Sequence, residues 1–195
     1  MPVTRLTLLR HGATPATRRS AFPDDEPLEP AAVSSIREMA ARVGRSDAAW
    51  SGPAACALET ASELGLAARV TSALADADPG SWRGRALADI EVTDPEALAA
   101  WASDPGVPPP GGESVLDVIA RVGRWLSEHS SDGCRIMAVT HAVVIRAAVV
   151  IALAAPPAAV WRIDVAPLSR TVLHARNGVW TVRGVNLGLL DSGAD

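Results

Sequence analysis

The chain has 195 residues, 48% of them apolar and 21% charged, with a formal charge of −4 spread over interspersed acids and bases. That length suits one domain, 1–195, able to bury roughly 70% of the surface of its unfolded chain. No basic stripe calls for nucleic acid and no polybasic tail for a membrane surface; all 18 basic residues are arginine, so no lysine exists for a Schiff base or a P-loop.

Val3 to Leu9 is a β-branched and leucine run ending in Arg10-His11-Gly12, which reads as a buried strand delivering a loop. The apolar run is too short and too interrupted by Arg5 for a secretory signal. Residues 14–30 are rich in Pro, Arg and Asp and are expected to be loop. Ala31 to Val43 repeats apolar residues at the helical period. Ala48 to Trp50 is a short strand, Pro53 to Leu66 a helix with Gly65 near its end, and Arg69 to Ser72 a further short strand.

Residues 75–112 form a long insertion with helices expected at Leu87 to Ile90 and Pro95 to Ala102. Ser114 to Glu128 is a helix with Ser114 as N-cap and Asp117 as a short version of the capping-box acid. Arg135 to Thr140 is a strand followed by His141, and Val143 to Leu153 a helix. The run from Val143 to Val160 is the most apolar, but Arg146 and two prolines interrupt it too much for a membrane span. Ser169 to Arg176 and Val179 to Arg183 are strands around an Asn177-Gly178 turn. Their edge offers a route to a homodimer. Cys56 and Cys134 have no metal-type spacing, and free thiols in a reducing cytosol are expected, hence a cytoplasmic protein.

Strands alternating with helices imply a three-layer α/β domain, a central mainly parallel sheet flanked by helices. Ligands bind such sheets outside the carboxyl ends of strands. His11 and His141 each follow a predicted strand there, so one pocket is expected to hold both. An arginine beside a histidine on such a loop combines a planar fork for phosphate oxygens with a nucleophile. The imidazole can attack phosphorus if an acceptor fixes its other nitrogen. Gly12 is expected to permit close backbone approach and a positive φ.

Arg10-His11-Gly12-x-Thr14 after an N-terminal strand resembles the signature of the histidine phosphatase superfamily, also called phosphoglycerate mutase-like. Later segments resemble that family in the same order. Ser51 to Ala61 is similar to Ser-x-Pro-x-x-Arg-Ala-x-x-Thr-Ala, Asp76 to Gly84 to acid-x-x-x-Gly-x-Trp-Glu-Gly, and Pro110 to Ser114 to Pro-Gly-Gly-Glu-Ser. Val139-Thr140-His141 resembles the strand ending Val-Ser/Thr-His, and Asn186 to Leu190 faintly resembles an Asn-containing C-terminal segment.

The resemblance implies metal-independent hydrolysis of a small phosphomonoester with no cofactor. His11 would become phosphohistidine, Arg10 would bind phosphate with Gly12 and Thr14 around it, and His141 would donate to a non-bridging oxygen. Asp76 stands where the family places its proton donor, with Asp78 as the alternative; that acid needs a raised pKa. Three positions depart from the pattern. Cys56 replaces the second phosphate-binding arginine, and Arg18, Arg83 or Arg85 could replace it in space; Arg83 itself stands where the Trp-Glu-Gly acid is usual. Ala142-Val143 follow His141 where Gly-Gly is common. Ala13 replaces an acid. A phospho-ligand binder without turnover, and a mutase or specialised biosynthetic enzyme on the same scaffold, are the competing readings. Trp82 is expected to line the pocket, the other tryptophans to be packing or surface residues, and Glu113 to support the catalytic loop.

Overall fold

The computed structural model describes residues 2–41 and 43–188. In chain order its strands and helices are β1 (Thr4–Arg10), α1 (Pro15–Arg19), α2 (Pro30–Ala40), β2 (Ala48–Ser51), α3 (Ala55–Glu63), β3 (Arg69–Val70), α4 (Leu87–Thr93), α5 (Pro95–Ser103), α6 (Val115–His129), β4 (Arg135–Thr140), α7 (Ala142–Ala152), β5 (Arg170–Arg176) and β6 (Val179–Leu187). Short 3-10 turns lie at Ser72–Leu74, Gly80–Trp82 and Pro157–Arg162.

The six strands form one sheet in the order β3-β2-β4-β1-β5-β6. β3, β2, β4 and β1 pair in parallel, and β5 and β6 add an antiparallel hairpin. Alternation along the central strands feeds two cores. Leu6 and Leu8 of β1, with Ile136 and Ala138 of β4, pack against α6 and α7 through Val118, Val122, Leu126 and Ile145. Leu9, Met137 and Val139 face the other way, onto Ile36 of α2 and Cys56 and Ala57 of α3. Helices on both faces explain why these strands read as nearly continuous apolar runs.

Capping follows the sequence in α6, where Ser114 Oγ accepts from the Asp117 N–H and Asp117 accepts from the Ser114 N–H. Asn177 and Gly178 both have positive φ, 54° and 78°, as the tight hairpin requires. Gly65, just past α3, has φ 71°.

Several boundaries differ. The segment expected to be loop at 14–30 contains α1, set by a Thr14/Thr17 capping box and Pro15 at the first position. Five residues are too few to show a period. Pro53 falls before α3 rather than in its first turn, and the free N–H of Ala55 is capped from the loop by Asp25 at 2.8 Å. β6 runs on to Leu187, past the expected end at Arg183. Asn186 there accepts from the Ala166 N–H at 2.7 Å and donates to Asp164, while Leu189 and Leu190 lie outside the described residues. The apolar run after His141 is α7, buried between the sheet and α6. Among the described residues no helix is long and apolar enough to cross a membrane.

Strand register decides what happens at the sheet's carboxyl edge. Arg10 of β1 lies opposite Thr140 of β4, and the His11 N–H donates to the Thr140 carbonyl at 3.0 Å. The next residue on each strand is a histidine, so the two are delivered side by side.

Candidate active site

A cavity of about 530 Å³ opens over that edge, and Arg10, His11, Thr14, Cys56, Asp76, Arg83 and His141 all line it. His11 and His141 are 6% and 3% exposed, with ring centroids 4.9 Å apart. His11 Nδ1 lies 2.7 Å from the Gly12 carbonyl oxygen. A carbonyl can only accept, so Nδ1 carries the proton and Nε2 of the neutral ring keeps its lone pair. Burial, reinforced by His141 and Arg10 against the Gly12 bond, lowers the His11 pKa to about 4. The ring is therefore neutral across the physiological range.

Gly12 makes the close approach expected of it, but not through the expected backbone conformation. Its φ is not positive, and it does not line the cavity. A side chain there would crowd Leu28, Ala32 and Ile36 at 3.1–3.2 Å, so glycine lets the histidine loop lie on α2. Its N–H donates to Thr60 Oγ1 of α3 at 3.1 Å. Thr14 lines the cavity, but its hydroxyl donates to Glu26 at 2.8 Å and caps α1.

His141 occupies the N-cap position of α7 with an extended backbone. Its Nδ1 is 3.3 Å from Asp76 Oδ2, an ion-pair distance, although neither ring nitrogen has a well-aligned hydrogen bond among the described residues. Burial pulls the Asp76 pKa up, but His141, His11 and the Ala77 N–H pull harder and hold it down at about 2. These neighbours thus keep Asp76 ionised, the reverse of the raised pKa that a proton donor needs. Asp78 also lines the cavity, but it is half exposed and its carboxylate is engaged by Arg83 at 2.8 Å and by the Gly80 N–H.

The loop bearing Asp76 is pinned from the Pro110–Ser114 segment. The Glu113 N–H donates to the Asp78 carbonyl at 2.9 Å. A side chain on Gly112 would lie 2.3 Å from that same carbonyl, and one on Gly80 2.3 Å from the Pro110 carbonyl. Glu113 takes two bonds from Arg121, whose guanidinium also donates to the carbonyls of Ala73 and Asp76. Glu113 supports the loop through Arg121, which sequence reading did not single out.

Another residue that sequence reading missed brings a guanidinium to the cavity. Arg18 pairs with Glu29 and Arg85 reaches Thr93; neither lines the cavity. Arg83 lines it but is held by Asp78. Arg146 of α7 also lines it, with Nε donating to the Ile163 carbonyl at 2.8 Å. Arg10 donates to the Val165 carbonyl at 2.6 Å, and its pKa is lowered by burial and by the nearby charge of Arg146. Arg146 is likewise partly buried and its pKa lowered by burial, while the carboxylates of Asp164 and Asp76 offset part of that cost for both guanidiniums. The available signal was position: Arg146 is the lone charge in α7, one turn after Ala142, so it shares the face that opens toward the strand ends.

Cys56 does line the cavity. Burial first, then the nearby carboxylates, push its thiol pKa up to about 12, so it is neither charged nor a ready nucleophile. One ring nitrogen of each histidine and Cys56 Sγ lie within 4.8 Å of one another. Imidazole and thiolate suit a thiophilic ion such as zinc, but the thiol would first have to give up that firmly held proton. Trp82 is buried behind the wall rather than lining the cavity.

The sequence pattern of the histidine phosphatase superfamily (branch 1) matches residues 6–188, and the chain belongs to that superfamily. The bifunctional protein Rv2228c of Mycobacterium tuberculosis is 33% identical over 196 residues, which cover 94% of this chain and 54% of that protein. A glucosyl-3-phosphoglycerate phosphatase of the same organism is 33% identical over 129 residues, 62% of this chain and 58% of that protein. The chain thus spans about half the length of the curated relatives it matches. Among solved structures, mycobacterial glucosyl-3-phosphoglycerate phosphatase Rv2419c with VO3 superposes with a TM-score of 0.84 at 27% identity, covering 94% of this chain and 99% of that one. A putative alpha-ribazole-5'-P phosphatase from Escherichia coli gives 0.83 at 22% identity over 94% and 96%, a likeness of fold alone.

Proposed function

We propose that the chain is a metal-independent phosphatase that transfers the phosphoryl group of a small phosphorylated metabolite to His11 Nε2 and then to water. The observation that carries this reading is the 2.7 Å contact between His11 Nδ1 and the Gly12 carbonyl, which leaves Nε2 unprotonated in a neutral, buried ring. Phosphoryl transfer needs little covalent help beyond such a nucleophile; it needs charge placed around the equatorial oxygens. Arg10 and Arg146 supply that charge, and a ring N–H of His141 hydrogen-bonds a non-bridging oxygen. Phosphatases of small phosphorylated metabolites among the relatives support the same reading.

Asp76 is the acid and then the base. A phosphomonoester titrates near pH 6, so its monoanion carries in the proton that the ionised carboxylate lacks. As the dianion forms beside it, Asp76 takes up that proton and gives it to the leaving alkoxide. In the second step it takes a proton from the attacking water, which frees His11. Arg146 restores the second guanidinium that Cys56 does not provide, which favours turnover over binding alone.

The direct test is phosphate release from an aryl phosphate and a panel of small phosphomonoesters, comparing wild type with His11→Ala. We expect a loss of roughly 10⁴-fold or more in kcat for the variant, the scale seen when a nucleophile is removed. Equal release by both proteins would remove His11 from the reaction.

A further inference from the structure

Next to the cavity over His11 lies a smaller one of about 140 Å³. The two share a wall made by the Asp76–Pro79 loop, Val143 and Arg146. They therefore adjoin at the very residues that would surround the leaving group of a phosphate ester. Val143 forms apolar wall for both spaces.

The far side of the annex is apolar and aromatic: Phe22, Trp101, Val115, Val160 and Trp161. These come from four separate parts of the chain, the loop after α1, α5, the start of α6 and the turn at Pro157–Arg162. Their rings are locked edge to face, Phe22 on Trp101 at 5.5 Å and Trp101 on Trp161 at 5.0 Å. Trp82, 1% exposed, backs the set at 5.3 Å from Phe22. Rings held in this way form a preshaped surface at no further ordering cost. The indole N–H of Trp161 is buried without a partner among the described residues, which leaves one donor open in this mainly apolar wall, where Glu113 is the other polar group on the far side.

An apolar space of about 150 Å³ admits a molecule the size of benzene. Sugar hydroxyls placed against phenylalanine, tryptophan and valine would lose more water than the few polar groups of this wall could replace. The geometry points to a leaving-group subsite: we propose that the substrate is a phosphomonoester whose alcohol carries a single flat aromatic ring, seated in the annex while its phosphate lies between Arg10 and Arg146. This rests on the phosphatase reading of His11 and narrows its substrate class.

The test uses two esters with similar alkoxide leaving groups, 2-phenylethyl phosphate and n-propyl phosphate. Burying the ring is expected to raise kcat/KM roughly 10- to 100-fold for the phenylethyl ester. Filling the annex with Val143→Phe, or removing its wall with Trp161→Ala, is expected to bring the ratio to within about threefold. A binding measurement that needs no turnover keeps the two claims separate: calorimetry of the wild type with 2-phenylethylphosphonate and propylphosphonate. Tighter binding of the phenylethyl compound without hydrolysis of either ester would uphold the subsite and sink the phosphatase reading. Equal kcat/KM together with equal phosphonate affinities would overturn the subsite, whatever the activity.

Discussion

His11 and His141 stand at the ends of two hydrogen-bonded central strands, whereas Asp76 and Arg146 reach the same cavity, and the aromatic residues the annex beside it, from segments outside the sheet. The histidine floor is set by backbone register: Arg10 opposite Thr140 leaves the next residues nowhere else to go. The wall is set by side chains that can trade places. An arginine is absent at Cys56 on α3, and Arg146 on α7 brings its charge from the other face of the sheet. The comparison teaches that the chemistry is tied to the strands, while charge placement and substrate fit can move among helices and loops.

Of the wall changes, Asp76→Asn is expected to have the largest effect. We expect kcat to fall roughly 10²- to 10⁴-fold for alkyl phosphates and far less for p-nitrophenyl phosphate, whose leaving group needs no proton. An equal loss for both would remove Asp76 from proton transfer.

Arg146→Ala comes next, with a loss of roughly 10²- to 10³-fold in kcat/KM, the scale of a removed oxyanion donor. If charge has moved from α3 to α7, Cys56→Arg alone should lower activity by crowding a third guanidinium into the cavity. In the Arg146→Ala background the same change should restore at least about tenfold of the loss. No restoration, with Arg146→Ala near wild type, would break the account of relocated charge.

The pH profile gives a smaller effect. His11 has a pKa lowered to about 4, so it is unprotonated above that value and takes a proton below it. The substrate monoanion that supplies the proton dwindles above about pH 6. We therefore expect kcat/KM to be greatest between about 4 and 6 and to fall roughly tenfold by pH 7. An acid limb near the ordinary histidine value of 6.5 would show that His11 is not held neutral as described. The smallest expected effect is none: EDTA should leave activity unchanged, and a strict requirement for an added divalent ion would refute the metal-free mechanism.

The same division decided what the sequence revealed. The Val3–Leu9 run, the Val139-Thr140-His141 strand end and the Ser114 cap are local patterns, and each sits as expected in β1, β4 and α6. Parallel pairing of two buried runs was enough to place His11 beside His141. Arg146, Arg121 and the ring set of Phe22, Trp101 and Trp161 depend on contacts between distant segments, which no local period encodes. Gly12 was legible for its close approach, which packs it on α2, but not for a positive φ, which it does not have.

The most direct test of the central claim is to trap the intermediate. Rapid acid-free quenching of the wild type during turnover of an aryl phosphate, followed by peptide mass analysis, should find one phosphoryl group on His11, stable to base and labile to acid. Its absence while phosphate is being released at full rate would contradict the account.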